Sequence, residues 1–356
     1  MSEEKQRDKV AKEQSPPQAA RPLPRFVVSA SPHIHSAASV KRIMWVVVAA
    51  LVPALAGSVY FFGLKALWLV ALCVISAVVS DSLAQLAFGR KMSPADGSAV
   101  ITGLLLAFNL PPGVPWWIPV VGAAFATVVV KQFFGGLGHN FMNPALAARA
   151  FLMVSWPTYM TSLWAKPASG TLSGLDAISG ATPLALVRRA AEYVPQDSVA
   201  AVIREANSLP VLKKLFLGNV GGCLGETSAL LLLLGAAFLI ALRVIDWRIP
   251  AAYIGTVILL ALVLPGNRMT PWFHVFSGGI ILGAFFMATD YVTVPITPKG
   301  RVIFGFGCGV ITMLIRLYGG YPEGCSYSIL LMNVATPLID RLVRPRLFGR
   351  RRKAAA

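Results

Sequence analysis

Ten apolar stretches, most of them about as long as a bilayer crossing, constrain this chain more than any other feature. They are Ile43–Phe62, Ala66–Phe88, Ser98–Leu110, Trp116–Phe134, Pro144–Trp156, Gly222–Leu242, Pro250–Leu264, Phe273–Thr289, Val302–Leu317 and Cys325–Leu338. A bilayer core is crossed by about 20 apolar residues of helix. Inside lipid the backbone must satisfy its own hydrogen bonds, which favours helices. Ser98–Leu110 and Pro144–Trp156 are short, so they are expected to be tilted or broken helices. The fold class expected is an all-α polytopic membrane protein with about ten transmembrane helices.

Charge supports this. Only 13% of the 356 residues are charged, against 56% hydrophobic. A soluble domain carries about a quarter charged residues. The net charge is nevertheless +17, from 32 Lys+Arg and 15 Asp+Glu. The basic residues sit in clusters between apolar runs, unlike the dispersed charge of a nucleic-acid binder, so no nucleic-acid partner is expected.

Cytoplasmic loops of membrane proteins are enriched in Lys and Arg. Lys41 and Arg42, Arg90 and Lys91, Lys131–Asn143, Arg243 and Arg248, Lys299 and Arg301, and the tail from Arg341 fall on one side by alternation. Both termini are therefore expected in the cytoplasm. The expected divisions are a cytoplasmic tail (1–42), a first transmembrane half (43–156), an outer, periplasmic loop (157–220), a second half (221–340) and a basic cytoplasmic tail (341–356). The first tail is polar and mixed in charge, unlike a secretory leader.

The halves echo one another. Gly103, Asn109-Leu-Pro-Pro, Gly135-Gly136 and Asn143-Pro-Ala in the first correspond to Gly283, Asp290, Gly319-Gly320 and Asn333-Val-Ala in the second. Paired halves with interrupted helices recur in membrane transport folds. Cys73, Cys223, Cys308 and Cys325 form no CxxC, and His33, His35, His139 and His274 form no metal-binding pair. No metal site is expected.

The most informative run is Asp176-Ala-Ile-Ser179-Gly180-Ala181-Thr182-Pro183. It predicts a small-residue turn, then a helix over Pro183–Tyr193 with Thr182 as N-cap. It also resembles the flavinylation motif Asp-x-x-Ser/Thr-Gly-Ala-Ser/Thr, whose last hydroxyl is esterified to the phosphate of FMN. A helix N-terminus suits a phosphodiester, and Arg188 and Arg189 add charge pairing.

Other polar residues allow two uses each. Glu226 and Thr227, with Ser228, either face a flavin or ion path or cap a helix. Asn143 either meets a flavin edge or satisfies broken-helix backbone. Arg149, inside an apolar run, either pairs with a phosphate or carboxylate or snorkels to the interface. Asp290 reads as an interfacial group, Asp96-Gly-Ser98 as a helix cap, and Trp116, Trp117 and Trp272 as interfacial aromatics.

With Ser31-Pro-His-Ile-His35, Asp96-Gly-Ser-Ala-Val-Ile-Thr-Gly103, Gly138-His-Asn-Phe-Met-Asn-Pro-Ala145 and Gly221-Gly-Cys-Leu-Gly-Glu-Thr-Ser228 added, nearly the full length resembles one family. This is the RnfD family, the D-type component of the Rnf complex, which is the ion-pumping ferredoxin:NAD oxidoreductase. Its sister is the NqrB family, the B-type component of the sodium-pumping NADH:quinone reductase. The resemblance implies covalent FMN on Thr182 and a second, non-covalent flavin such as riboflavin. It implies electron transfer coupled to Na⁺ or H⁺ movement in the bacterial inner membrane. Implied partners are a flavin-carrying periplasmic subunit, iron–sulfur subunits, a flavin transferase and membrane lipid. The alternatives are the quinone-reductase component and a flavin-free transporter or channel.

Overall fold

Helix length sorts the apolar runs into two kinds. In the computed structural model, which describes residues 39–164, 182–193, 196–264, 269–320 and 323–344, three helices are long and apolar enough to cross a bilayer: α1 (Val40–Phe62), α2 (Leu64–Ala87) and α13 (Pro298–Tyr318). Shorter apolar helices are α3 (Ser98–Phe108), α4 (Trp117–Ala124, continuing as a π-helical segment over Phe125–Gln132), α5 (Pro144–Ser155), α9 (Ala229–Ala241) and α10 (Arg248–Val263). Among the described residues between α5 and α9, a short helical turn over Pro157–Thr161 precedes three longer helices: α6 (Pro183–Tyr193), α7 (Gln196–Ala206) and α8 (Leu209–Leu217). The last helix, α14 (Cys325–Leu342), contains Pro337. The described residues form no strand.

Two expected spans differ from this. Phe273–Thr289 reads as one run, but it is broken into α11 (Pro271–Phe276) and α12 (Ile280–Leu282, continuing as a π-helical segment over Gly283–Met287). The break is Ser277-Gly278-Gly279, where Gly278 has φ 67°, a left-handed conformation that L side chains rarely adopt. Gly222–Leu242 forms a single 3-10 turn over Leu224–Glu226, and its α-helix begins only at Ala229, where Ser228 caps α9 by accepting from Leu231 N–H at 3.4 Å.

The short helices α3 and α5 are satisfied at their ends by side chains. Asp96 Oδ1 accepts from Ser98 N–H at 2.8 Å before α3. Asn143 Oδ1 accepts from Ala145 and Leu146 N–H at 3.0 and 3.3 Å, and Pro144 occupies the first helical position. The Asn143 amide also donates to Met287 O at 3.3 Å, joining α5 to the end of the second π-helical segment. The described residues contain two π-helical segments, Phe125–Gln132 and Gly283–Met287, a form frequent at functional sites.

Close packing relies on small residues, as is usual between membrane helices. A Cβ at Gly235 of α9 would lie 2.1 Å from Ala50 O of α1. Gly235→Ala must therefore push α1 and α9 apart, at roughly 1–3 kcal/mol. Thermal unfolding in detergent is expected to show a lower midpoint for this variant. The same change at Gly255, where a Cβ meets nothing within 4 Å, should leave the midpoint unchanged.

At the end of the bundle rich in Lys and Arg, Asp246 fastens the α9–α10 loop to α13. It accepts from Arg248 N–H at 3.0 Å and from the Arg248 and Arg301 guanidiniums at 3.0 and 2.6 Å. Burial pushes its carboxyl up, but these hydrogen bonds outweigh burial and hold it below the ordinary aspartate value.

Candidate functional site

Helix α6 starts where the sequence predicts. Thr182 is buried and stands at its N-cap, with Oγ1 accepting from Ala185 N–H at 3.2 Å. The helix is held from below in two ways. Leu184 packs in a small apolar cluster with Leu215 and Phe273, and Arg188 donates to Gly319 O beyond α13. Asp176, Ser179, Gly180 and Ala181 lie outside the described residues, as does the Arg189 side chain.

Beneath α6 lies a buried charged cluster. A Cβ at Gly278 would lie 3.1 Å from Leu184 Cδ1, 3.0 Å from Arg316 Nη2 and 3.7 Å from Glu323 Cγ, so this turn joins α6 to the cluster. At its centre is Arg149 of α5, 3% exposed. Its Nη1 donates to Asn109 Oδ1 at 2.7 Å and lies 3.6 Å from Glu226 Oε1. Its Nη2 pairs with the Glu323 carboxylate and approaches Cys223 Sγ at 3.9 Å. Of the two uses open to Arg149, the structure therefore shows pairing with carboxylate, not snorkelling. The acceptor atoms of Cys223, Glu226 and Glu323 lie within 4.8 Å of one another, and the cation set among them is the Arg149 guanidinium. Arg316 completes the surroundings by donating to the main-chain oxygens of Glu323, His274 and Ser277 at 3.1, 2.6 and 2.9 Å.

Glu226 thus belongs to this ion-pair cluster, and the residue capping α9 is Ser228. Thr227 turns back to donate to Leu224 O at 2.8 Å. The sequence offers no signal for Glu323: it stands 174 residues from Arg149 and reads as a lone loop charge.

A second polar group lies at the basic end. Asp81 of α2 and Lys131 of the first π-helical segment, 2% and 3% exposed, pair at 3.0 Å. Gln132 and Gln85 amides donate to Asp81 at 2.8 and 3.1 Å, and Lys131 also donates to Ser98 Oγ at 2.8 Å. In the sequence Lys131 reads only as loop charge, and nothing marks Asp81. Lys131 lines a cavity of about 110 Å³, far above the roughly 10–15 Å³ that one water needs. Ser98, Asn140, Asn143 and Asp290 supply further polar lining, and Ile101 and Phe286 apolar walls. Asn143 therefore lies at this cavity, while Glu226 lies in the Arg149 cluster and Thr182 and Arg188 lie on α6. Asp290 is at the cavity edge, beside the exposed Tyr291, whose hydroxyl donates to Val244 O.

The comparison with known proteins decides the class. One family profile matches residues 27–349. The chain belongs to the NQR2, RnfD, RnfE family. Among its relatives is the RnfD-type component of the Na⁺-translocating ferredoxin:NAD⁺ oxidoreductase complex of Acetobacterium woodii, 52% identical over 326 residues, covering 91% of this chain and 95% of the relative. The corresponding component of the proton-translocating ferredoxin:NAD⁺ oxidoreductase complex of Clostridium ljungdahlii is 44% identical, covering 92% and 97%. That of the ion-translocating oxidoreductase complex of Stutzerimonas stutzeri is 43% identical, covering 88% and 93%. This NQR2, RnfD, RnfE family member is accordingly a multi-pass membrane protein and a subunit of a larger oxidoreductase complex. Its relatives are named for different ions.

Proposed function

We propose that this chain carries electrons within an ion-translocating ferredoxin:NAD oxidoreductase complex, through FMN esterified to Thr182 and a second, non-covalent flavin. The observation that carries this is Thr182 at the N-terminus of α6. Its oxygen acts there as an acceptor, from Ala185 N–H, so an ester at that oxygen keeps the cap. The first-turn N–H groups and the helix dipole favour the phosphate beside it. Contacts of Leu184 and Arg188 hold the helix against the bundle. The flavin supplies the redox chemistry; the chain fixes its attachment point and excludes water.

The proposed place for the second flavin is the cavity beside Lys131, which combines apolar walls with a few convergent polar groups, as ligand sites do; at about 110 Å³ it is smaller than the roughly 300–1,000 Å³ of such sites, so its walls must part to admit the ring. Lys131, Ser98 and Asn140 would hold polar edges, and Phe286 and Ile101 would flank the ring. Lys41 and Arg42 in the first turn of α1, Arg90 and Lys91 after α2, Lys299 at the start of α13 and Arg341 near the end of α14 support placing this end in the cytoplasm. Thr182 then faces outward in an inner membrane, where a flavin transferase and a flavin-carrying partner subunit meet it. Iron–sulfur subunits complete the chain of carriers.

The test is co-expression with a flavin transferase, followed by a denaturing gel. The band is expected to fluoresce, to lose the signal in Thr182→Val and to keep it in Thr182→Ser. Flavin released on denaturation should persist in Thr182→Val, since the second site is separate. A dark parent band with active transferase, or fluorescence surviving Thr182→Val, would sink the assignment.

A further inference from the structure

The Arg149 cluster contains a buried carboxylate oxygen that no hydrogen-bond donor reaches. Arg149 gives Nη2 to Glu323 and Nη1 to Asn109, leaving Glu226 at 3.6 Å, beyond a good hydrogen bond. Arg316, the other nearby cation, spends its donors on three main-chain oxygens. Cys223, on the same turn as Glu226, points its thiol at Asn109 O, 3.3 Å away. Cys325 of α14 faces Gly279 O and Tyr253. The Glu226 side chain is 4% exposed, and its Oε1 has no hydrogen-bond partner. That oxygen instead faces Gly279, where a Cβ would sit 3.0 Å away.

A buried carboxylate oxygen without a donor is strongly disfavoured. Two carboxylates confined together relieve this by holding one proton between them. A crevice of about 20 Å³, lined by Arg149, Glu323, Ser326 and Tyr327, has room for about one water. Glu323, 13% exposed, is at its mouth.

We propose that Glu226 and Glu323 form a proton-binding site that holds one exchangeable proton and trades it with water through the crevice at Glu323. The proton comes from that water and rests on the Glu226 carboxyl, whose O–H donates to the Glu323 carboxylate. Glu323 remains the anion paired with Arg149. The site stands independently of any flavin at Thr182.

Infrared difference spectroscopy on the full chain in lipid nanodiscs tests this. At neutral pH the parent should show a protonated-carboxyl band that shifts in D₂O and disappears in Glu226→Gln. Glu226→Gln replaces a neutral carboxyl by a neutral amide, so its unfolding midpoint should stay near the parent's. Glu323→Gln deprives Arg149 of its anion and should lower the midpoint clearly. If Glu226→Gln does not fold, Glu226→Asp must still displace the band. The proposal is overturned if no band depends on position 226. It is equally overturned if Glu226→Gln and Glu323→Gln destabilise alike, which would mean that both groups are ionised.

Discussion

Replacing Arg149 by Met is expected to cost the folded chain about 3–5 kcal/mol, the scale for removing one partner of a buried ion pair. The side chain is 3% exposed and holds three groups from separate parts of the chain: Asn109, Glu323 and Glu226. Methionine fills most of the volume but leaves the Glu323 carboxylate with no cation in contact. Arg149→Lys restores the charge without the planar fork, so an intermediate loss is expected. Arg149→Met/Glu323→Gln removes both charges and should recover much of the single-variant loss. Thermal unfolding of the four proteins in one detergent measures the cycle. Equal midpoints for the parent and Arg149→Met would show that the cluster does not hold these helices together. Leu184 and Arg316 meet at Gly278, so the single variant should also loosen α6, seen as faster proteolysis near Arg188.

Much of this architecture is legible in the sequence because it depends on local spacing. The runs that form α1 and α2 are long and predominantly apolar, α13 extends its shorter apolar run with polar ends, and the half-length α3 and α5 stand out by their shortness. The caps at Asp96, Asn143 and Thr182 are short-range patterns, read from the residue before a helix. The charged clusters obey no such rule. Lys131 meets Asp81 from 50 residues away, and Arg149 meets Glu323 from 174 away. A lysine between apolar runs carries the same signal whether it faces cytoplasm or is turned inward by a π-helical segment. The break at Ser277-Gly278-Gly279 is hidden for a related reason: two glycines in an apolar run lower its helical preference, yet only packing against Arg316, Leu184 and Glu226 makes the turn necessary.

Lys131→Met should be the second severe substitution, again by about 3–5 kcal/mol, and here the neutral double variant is the sharper measurement. Lys131 and Asp81 neutralise one another at 3.0 Å, both nearly inaccessible to solvent. Removing the ammonium leaves Asp81 charged, with only the Gln85 and Gln132 amides as donors. Adding Asp81→Asn removes that charge and keeps one side-chain oxygen to accept from the glutamine amides. A buried pair replaced by neutral groups of similar volume is often no less stable than the pair, so Lys131→Met/Asp81→Asn should unfold within about 1 kcal/mol of the parent. That near-recovery would show that the pair is not retained for stability, and would turn attention to the cavity that Lys131 lines. The double variant then isolates the ligand question. If both proposed flavins are bound and the cavity holds the second, a stable protein lacking the Lys131 ammonium should release less non-covalent flavin on denaturation, with the fluorescence of the denatured band unchanged as the internal standard. Undiminished release would remove Lys131 from that site while leaving its role in the ion pair intact.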